Sequence, residues 1–380
     1  MEFQHSADDL MLAAAAQAFA DGTLRPAART SDAAGRPAEV VRAGLAAMEL
    51  RGLFLTERLG GLGVGASAQV LVLDALASAD AGVAWRVLHE GVAALALAGG
   101  AGPRRKAGPA RKAGGAAPEA IVWAHAGDAD EPGAWDDRGV GVASAHTDGG
   151  WRLTARKIAV PGGQGATAAV VTARTSDGLA AFHVDLGPAG PTVERVACGD
   201  ALGLRSAEAT DLVWSDAAIE ARDKLPLGRA ELETLFDATR LGTAAIALGT
   251  GRAALAEACR YASVRQQFGQ PIAKFQPIQW MIANSATELA AATGLVQYAA
   301  WLQDAGKSAS HAIRMAKVTA CEAALRATDR ALQVHGGYGY TTEFAVERLL
   351  RDATVLHGAW GSPAALKVAV ARGLLPATRS

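Results

Sequence analysis

The chain has 380 residues, half of them hydrophobic, with 37 Lys and Arg against 38 Asp and Glu. That length suffices for two or three packed units around a large interior, and the charge balance removes any general case for nucleic acid, an anionic membrane or an acidic partner. Three widely spaced cysteines, Cys198, Cys259 and Cys321, have no metal-ligand spacing and leave one over if two pair, which points to a reducing cytoplasm and to no metal centre.

The amino terminus, MEFQHSADDLMLAAAAQAFADG, carries acidic residues ahead of its Ala-rich stretch and no basic region, which argues against a signal peptide. No uncharged apolar run reaches membrane-spanning length. From Ala7 to about Ala101 the pattern is Ala/Leu-rich with helical spacing, broken at LGGLGVGAS (59–67), where glycines mark a loop between helices. Residues 102–118, GPRRKAGPARKAGGAAP, read as a surface connection. Its Arg104, Arg105, Lys106, Arg111 and Lys112 form a solvated charge run, with attraction of an acidic carrier protein as the alternative.

The character then changes. WRLTARKIAV (151–160) alternates, and AAVVTAR and AAFHVDL follow with turn residues between them, as antiparallel strands do. From Leu225 onward helical patterning returns. In HAIRMAKVTACEAALRATDRALQVHGG, the residues Ile313, Ala316, Ala320, Ala324, Ala327 and Ala331 form one stripe that suits close helix packing, and Gly336 and Gly337 supply a stop. The expected organisation is an α+β, mainly α chain: a helical unit over 1–118, a β unit over 119–222 and a helical unit over 223–380.

Two stretches carry more chemical information than the rest. RYASVRQQFGQPIAKFQPIQ (260–279) sets Arg265 and Gln267 beside Phe268 and a Gly turn, a combination suited to a phosphate next to an aromatic ring system. LQVHGGYGYTTEFAVERLLRDA (332–353) sets Gln333 and the open backbone of Gly336 and Gly337 at a helix end, where a ligand can approach closely.

On these motifs the chain resembles the acyl-CoA dehydrogenase family. The segment GLAAMELRGLFLTERLGGLGVGA (44–66) is similar to the family's GG-containing amino-terminal segment, and 148–163 has the layout of its middle domain. The resemblance implies an amino-terminal helical domain, a middle β-barrel-like domain and a carboxy-terminal four-helix bundle. It also implies FAD at a subunit interface, in a homodimer or homotetramer or in a heteromer with a catalytically intact relative. Arg265, Gln267, Phe268, Gln333, Gly336 and Gly337 would then contact the ADP part of a neighbouring subunit's FAD, or merely stabilise the interface. The substrate would be an acyl-CoA or an acyl-carrier-protein thioester, and the electron acceptor a flavoprotein or oxygen.

The family reaction needs a carboxylate base, and here the resemblance breaks. Counting on from Arg351-Asp352-Ala353 puts the usual Glu at Trp360, with Gly361 and Ser362 at the Gly and Thr that follow it, which implies substrate contact at Gly361 and cofactor contact at Ser362. A minority of members carry the base just before the Arg of an earlier helix, where this chain has Thr239 before Arg240. The loop that touches flavin and substrate corresponds to AHAGDAD (124–130), with His125 at its Thr. The aromatic-Ile-Thr segment on the flavin corresponds to Ala159, Val160 and Pro161, and Pro has neither hydroxyl nor amide hydrogen. Contacts to the chain's own flavin ring are therefore expected to be eroded, and those reaching a neighbour's ADP moiety kept.

Two groups are candidate replacement acids or bases. Glu90 lies where some relatives have a pocket-lining Glu, the alternative being a solvated or capping carboxylate, and His357, three residues before Trp360, would share its side of a helical turn, the alternative being a structural or surface histidine. Asp237 and Arg240 stand where relatives contact the thioester arm, the alternative being an internal ion pair, and His335 is read as a packing residue. The resemblance thus implies a flavin-dependent oxidoreductase with altered chemistry. Its alternatives are a non-catalytic subunit of a heteromeric dehydrogenase, a flavin-dependent monooxygenase and a flavin-free member.

Overall fold

The computed structural model describes residues 5–99, 121–124, 142–145, 149–188 and 190–375. The basic connection at 102–118, the unit boundary expected at 118/119 and residues 125–130 with His125 lie outside the described residues.

The chain opens with helices α1 (Ala7–Phe19), α2 (Arg25–Ala34), α3 (Glu39–Ala47), α4 (Ala66–Ala77) and α5 (Ala81–Leu97). A reciprocal capping box starts α1, with Ser6 and Asp9 each accepting the other's backbone N–H. Helices α4 and α5 are apolar nearly all round and buried accordingly. The glycine-marked break ends where α4 begins. There the carboxylate of Asp304 accepts the N–H groups of Ala66 and Ser67 at 2.6 and 3.0 Å, a cap supplied by a distant helix.

Among the described residues seven strands follow: β1 (Ile121–Ala124), β2 (Val142–Ala145), β3 (Trp151–Val160), β4 (Ala168–Thr175), β5 (Gly178–Asp185), β6 (Glu194–Ala197) and β7 (Thr210–Ile219). They form one sheet in the order β1-β4-β2-β3-β7-β6, with β5 paired to β4. The alternation read in 151–160 is real, since Leu153, Ala155 and Lys157 are buried while Thr154 and Arg156 are exposed.

The expectation of antiparallel strands holds for β2/β3, β3/β7, β4/β5 and β6/β7, but β1 and β2 both run parallel to β4. The return through β2 and β3 gives the β1/β4 pair its long connection. Strands β1 and β4 are buried on both faces, which is why they lack a polar alternation. Val122, Ala124, Ala169 and Val171 turn into the sheet's own core, whereas Ile121, Trp123, Ala168 and Val170 turn into the core of the helices. Trp123 is thereby aimed at the helical bundle.

That bundle comprises α6 (Arg229–Val264), α7 (Gln276–Asp304), α8 (Ser310–His335), α9 (Val346–Gly358) and α10 (Pro363–Leu374). Helix α8 packs against α6, α7, α9 and α10. Its stripe from Ile313 to Ala331 is buried at every position. Small residues let the axes close: a Cβ on Gly251 would stand 3.1 Å from the Cα of Ala324 and 2.7 Å from a methyl of Leu289. Gly336, at φ 57°, ends α8 as its sequence signals. A two-stranded hairpin, β8 (Gln266–Gln267) and β9 (Gln270–Pro271), turns through Phe268 and Gly269, both at positive φ.

Candidate functional site

The site is organised around the end of α9. Three charged residues of its ERLLRDA segment fix the helix: Arg348 donates to the Ala79 carbonyl, Arg351 pairs with Asp32 at 2.7 Å, and Asp352 accepts the Leu204 N–H at 2.6 Å. Asp352 is fully buried, and desolvation pushes its carboxyl up to about 7. The helix stops at Gly358. Ala359 is extended, Trp360 is left-handed at φ 54°, and Ser362 caps α10 by accepting the Ala365 N–H at 3.3 Å.

Lys317, on α8 and fully buried, spans this turn: its ammonium donates to the carbonyls of His357 at 2.9 Å and Gly361 at 2.7 Å. Both sides of Trp360 are thus held from one point. The side chain is held from another, because the indole Nε1–H donates to Nε2 of His89, on α5, across 3.0 Å. His89 in turn bonds the Trp85 carbonyl through Nδ1 at 2.8 Å, so Nδ1 carries the proton and Nε2 the lone pair. Burial drops the His89 pKa to about 4, so the ring is neutral at physiological pH.

Trp360 also lies nearly parallel to Trp123, at 6.3 Å between centroids and 11°, and tilted against Phe236 at 6.2 Å. Trp85 packs on His89 at 4.4 Å. Trp85, His89, Trp123, Phe236 and Trp360 form an aromatic box at the position where the resemblance puts a proton-abstracting carboxylate. Thr239, at the alternative base position, is fully buried and donates its hydroxyl to the Leu235 carbonyl.

The two candidate replacement groups fare differently from expectation. His357 and Trp360 do not share a helical face, because α9 ends between them and the reversal at 359–360 swings the indole toward α5. Burial and the Lys317 ammonium lower the His357 pKa. Glu90 belongs to a ladder of ion pairs, meeting Arg86 at 2.8 Å and Arg51 at 3.3 Å, while Arg86 continues to Glu208 at 2.6 Å and Glu208 to Arg42 at 3.1 Å. Both Glu90 oxygens are engaged, so its burial reflects charge pairing rather than a poised base.

Asp237 and Arg240 form an internal pair at 2.6 Å, with Arg240 fully buried and Asp237 also accepting the Ser310 hydroxyl. Desolvation lowers Arg240 to about 10, which leaves it charged. Gly361 turns its carbonyl to Lys317, and the Ser362 hydroxyl serves as a helix cap.

Beside the box, a cavity of about 330 Å³ is walled by Trp85, Ala159, Cys198, Leu204, Ala207 and Val355. Ala159 adopts φ 49° and its N–H is taken by Asp211 at 2.8 Å. The Cys198 thiol donates to the same carboxylate at 3.4 Å, and burial pushes its pKa to about 11, so it is no nucleophile.

A second cavity, of about 480 Å³, collects the other motif. Arg265, Gln267, Gly336 and Gly337 line it with Tyr261 and Ile272. Arg265 lies over the Tyr338 ring at 5.4 Å, and Phe268 is 92% exposed. Gln333, in the last turn of α8, is exposed. The packing role read for His335 is what the fold shows: it is 2% exposed and stacks on Tyr261 at 4.2 Å. A guanidinium, an amide and open glycine backbone between aromatic walls have the donor set for a diphosphate and its nucleoside. These residues fit the ADP part of FAD. The Ala159-Val160-Pro161 segment offers no hydroxyl and no aromatic plane for a flavin ring.

The box was the part that sequence reasoning missed. Trp85 and His89 stand at i and i+4 on α5, but no local spacing joins that pair to Trp123, Phe236 or Trp360. A signal was present only in Trp123, a large ring inside a four-residue strand without alternation.

Residues 6–108 match a family model described as acyl-CoA dehydrogenase, N-terminal domain, and residues 228–375 match acyl-CoA dehydrogenase, C-terminal domain. The chain is 35% identical to the 3-(aryl)acrylate reductase of Clostridium sporogenes over 254 residues, 64% of this chain and 67% of that protein. It is 37% identical to the caffeyl-CoA reductase-Etf complex subunit CarC of Acetobacterium woodii over 235 residues, 59% of this chain and 61% of that one, somewhat under two thirds of the relative. The solved butyryl-CoA dehydrogenase of Megasphaera elsdenii superimposes with a TM-score of 0.84 at 26% identity, covering 99% of this chain and all of the other.

Proposed function

Because the chain belongs to the acyl-CoA dehydrogenase family, we propose that it is a flavin-dependent oxidoreductase acting on an acyl-CoA thioester without the family's carboxylate base. The observation that carries the altered chemistry is Trp360, locked at the base position by His89 and Lys317. FAD, when bound, supplies the hydride chemistry at its ring. Arg265, Gln267, Gly336 and Gly337 would hold the ADP part of that group, and Trp360, where the resemblance puts the base, would wall the acyl end.

Removing a general base costs about 10²–10⁴ in rate. Within the box the one titratable ring, His89, is neutral and its lone pair is already taken by the indole. Simple desaturation of an unactivated acyl chain is therefore disfavoured. A thioester already acidic at the α carbon suits the site better; reduction of an already unsaturated one also needs a proton at its α carbon, which solvent rather than the box would have to deliver. The names of the aryl-acrylate and caffeyl-CoA reductases support the second. The Etf complex of the latter supports an electron-transferring flavoprotein as partner. Among the described residues no helix is long and apolar enough to cross a membrane, and the three cysteines are free thiols, which supports a cytoplasmic setting.

A second reading has its own observation. The ADP cradle is intact while Ala159 and Pro161 replace the groups expected on the chain's own flavin ring, as in a subunit that completes a partner's FAD site without turning over itself. The visible spectrum of the chain purified alone separates the two. About one flavin per chain supports the oxidoreductase and overturns the silent subunit, whereas colourless protein that gains flavin only with a co-expressed intact relative does the reverse.

A further inference from the structure

Trp360 combines three properties that no other ring of the box has together, and their meaning rests on the reading above, which places this residue beside the acyl group. Its backbone is in the left-handed region at φ 54°, which a bulky residue adopts only where its surroundings impose it. Two anchors impose it here, Lys317 on the flanking carbonyls and His89 on the indole. It is also the open member of the box: Trp123 is 1% exposed, Phe236 2%, His89 3% and Trp85 7%, whereas Trp360 is only partly buried.

A held, uncharged, flat surface discriminates by shape. A planar conjugated group can lie along an indole and exchange little hydration for an aromatic contact, while a puckered group of equal size makes fewer contacts and a charged one loses its water. Orientation matters for such a contact, and the indole plane is set by its N–H bond to His89. We propose that Trp360 is the specificity-determining wall of the acyl site, selecting a planar, conjugated acyl group, and that His89 is its positioning residue.

The full chain, carrying the flavin it retains, is titrated by calorimetry with 3-phenylacryloyl-CoA and with 3-cyclohexylpropanoyl-CoA, which share a carbon skeleton and differ in planarity. The planar thioester is expected to bind about three- to tenfold tighter, the size of one aromatic pair. Trp360→Leu should abolish the ratio and His89→Phe should shrink it, whereas His89→Gln, whose amide oxygen can accept from the indole, should restore it. In a Trp360→Phe background, which has no N–H, His89→Phe should change the ratio no further; a merely structural His89 would still change it. Equal affinity of the wild type for both thioesters, or a ratio that survives Trp360→Leu, overturns the inference alone. Failure of the wild type to bind either thioester overturns the acyl-thioester reading and this inference with it.

Discussion

The indole N–H of Trp360 donates to Nε2 of His89 across 3.0 Å, tying together residues 271 positions apart in the chain. The bond joins the first helical unit to the turn that follows α9, and it puts a fixed aromatic surface at a position expected to hold a base. Because the histidine must be neutral to accept, the contact also makes stability depend on pH.

The folded-state pKa of His89 is about 4 against an ordinary value of 6.5, so the unfolded chain binds more protons between these values. The His89 contribution is complete above about pH 6.5 and is lost as pH falls toward 4. Urea midpoints at pH 7 and pH 5 should therefore differ in the wild type, and His89→Phe should narrow that difference.

Asp352 works in the opposite direction. Its folded pKa of about 7 lies above the ordinary 3.8, so the folded state holds the extra proton and stability from this group declines as pH rises from about 4 to 7. Asp352→Asn keeps an acceptor for the Leu204 N–H. Thermal melts of this variant should lose the decline, gaining on the wild type more at pH 8 than at pH 5.

Lys317→Met leaves the carbonyls of His357 and Gly361 without their buried donor. Hydrogen bonds to charged groups are worth about 1.5–3 kcal/mol each, so a loss of about 3–6 kcal/mol is expected in urea unfolding. Tryptophan emission should shift to the red as the turn releases Trp360, and an unchanged spectrum would show that His89 alone sets the indole.

Arg265 is half-buried and rests on the Tyr338 ring outside the bundle core, so its removal should alter folding little. Arg265→Ala should leave the melting temperature of flavin-free protein within error while weakening flavin retention about ten- to hundredfold, the size of one charge-assisted contact to a diphosphate. Equilibrium dialysis against FAD measures it. In a heteromer the loss should appear in the partner's flavin content.

Trp360→Glu returns a carboxylate to the turn beside Trp123 and Phe236, surroundings that raise its pKa toward neutrality. Desaturation of a simple acyl-CoA should rise by about 10² if the missing base is the main defect. No rise, with flavin bound, would show that the aromatic box itself excludes a saturated chain.

Much of the architecture was legible because it rests on local pattern. The alanine stripe of α8, the Gly336 stop and the alternation of β3 each follow from a period or a backbone preference that a short window contains. The motif residues Arg265, Gln267, Gly336 and Gly337 were legible one by one, and the fold brings them to a single cavity. Two readings carried local geometry too far, and one pairing was missed. A helical face was extended through Ala359, although the helix stops one residue earlier. Glu90 was weighed as a base without the Arg51 and Arg86 that engage it. The parallel pairing of β1 to β4 was not foreseen, since register depends on what a strand meets across the sheet.

The sequence by itself determined that Trp360 and Thr239 stand at the two positions where the resemblance places a base, because residue identity at a counted distance from a motif requires no coordinates. Only the tertiary structure decided what fills the place. The partners of Trp360 come from α5, β1 and α6, and their meeting depends on chain crossings and side-chain directions that no sequence window encodes. The neutrality of His89 likewise follows from burial by residues far away in sequence, since desolvation is a property of the packed surroundings and not of the residue.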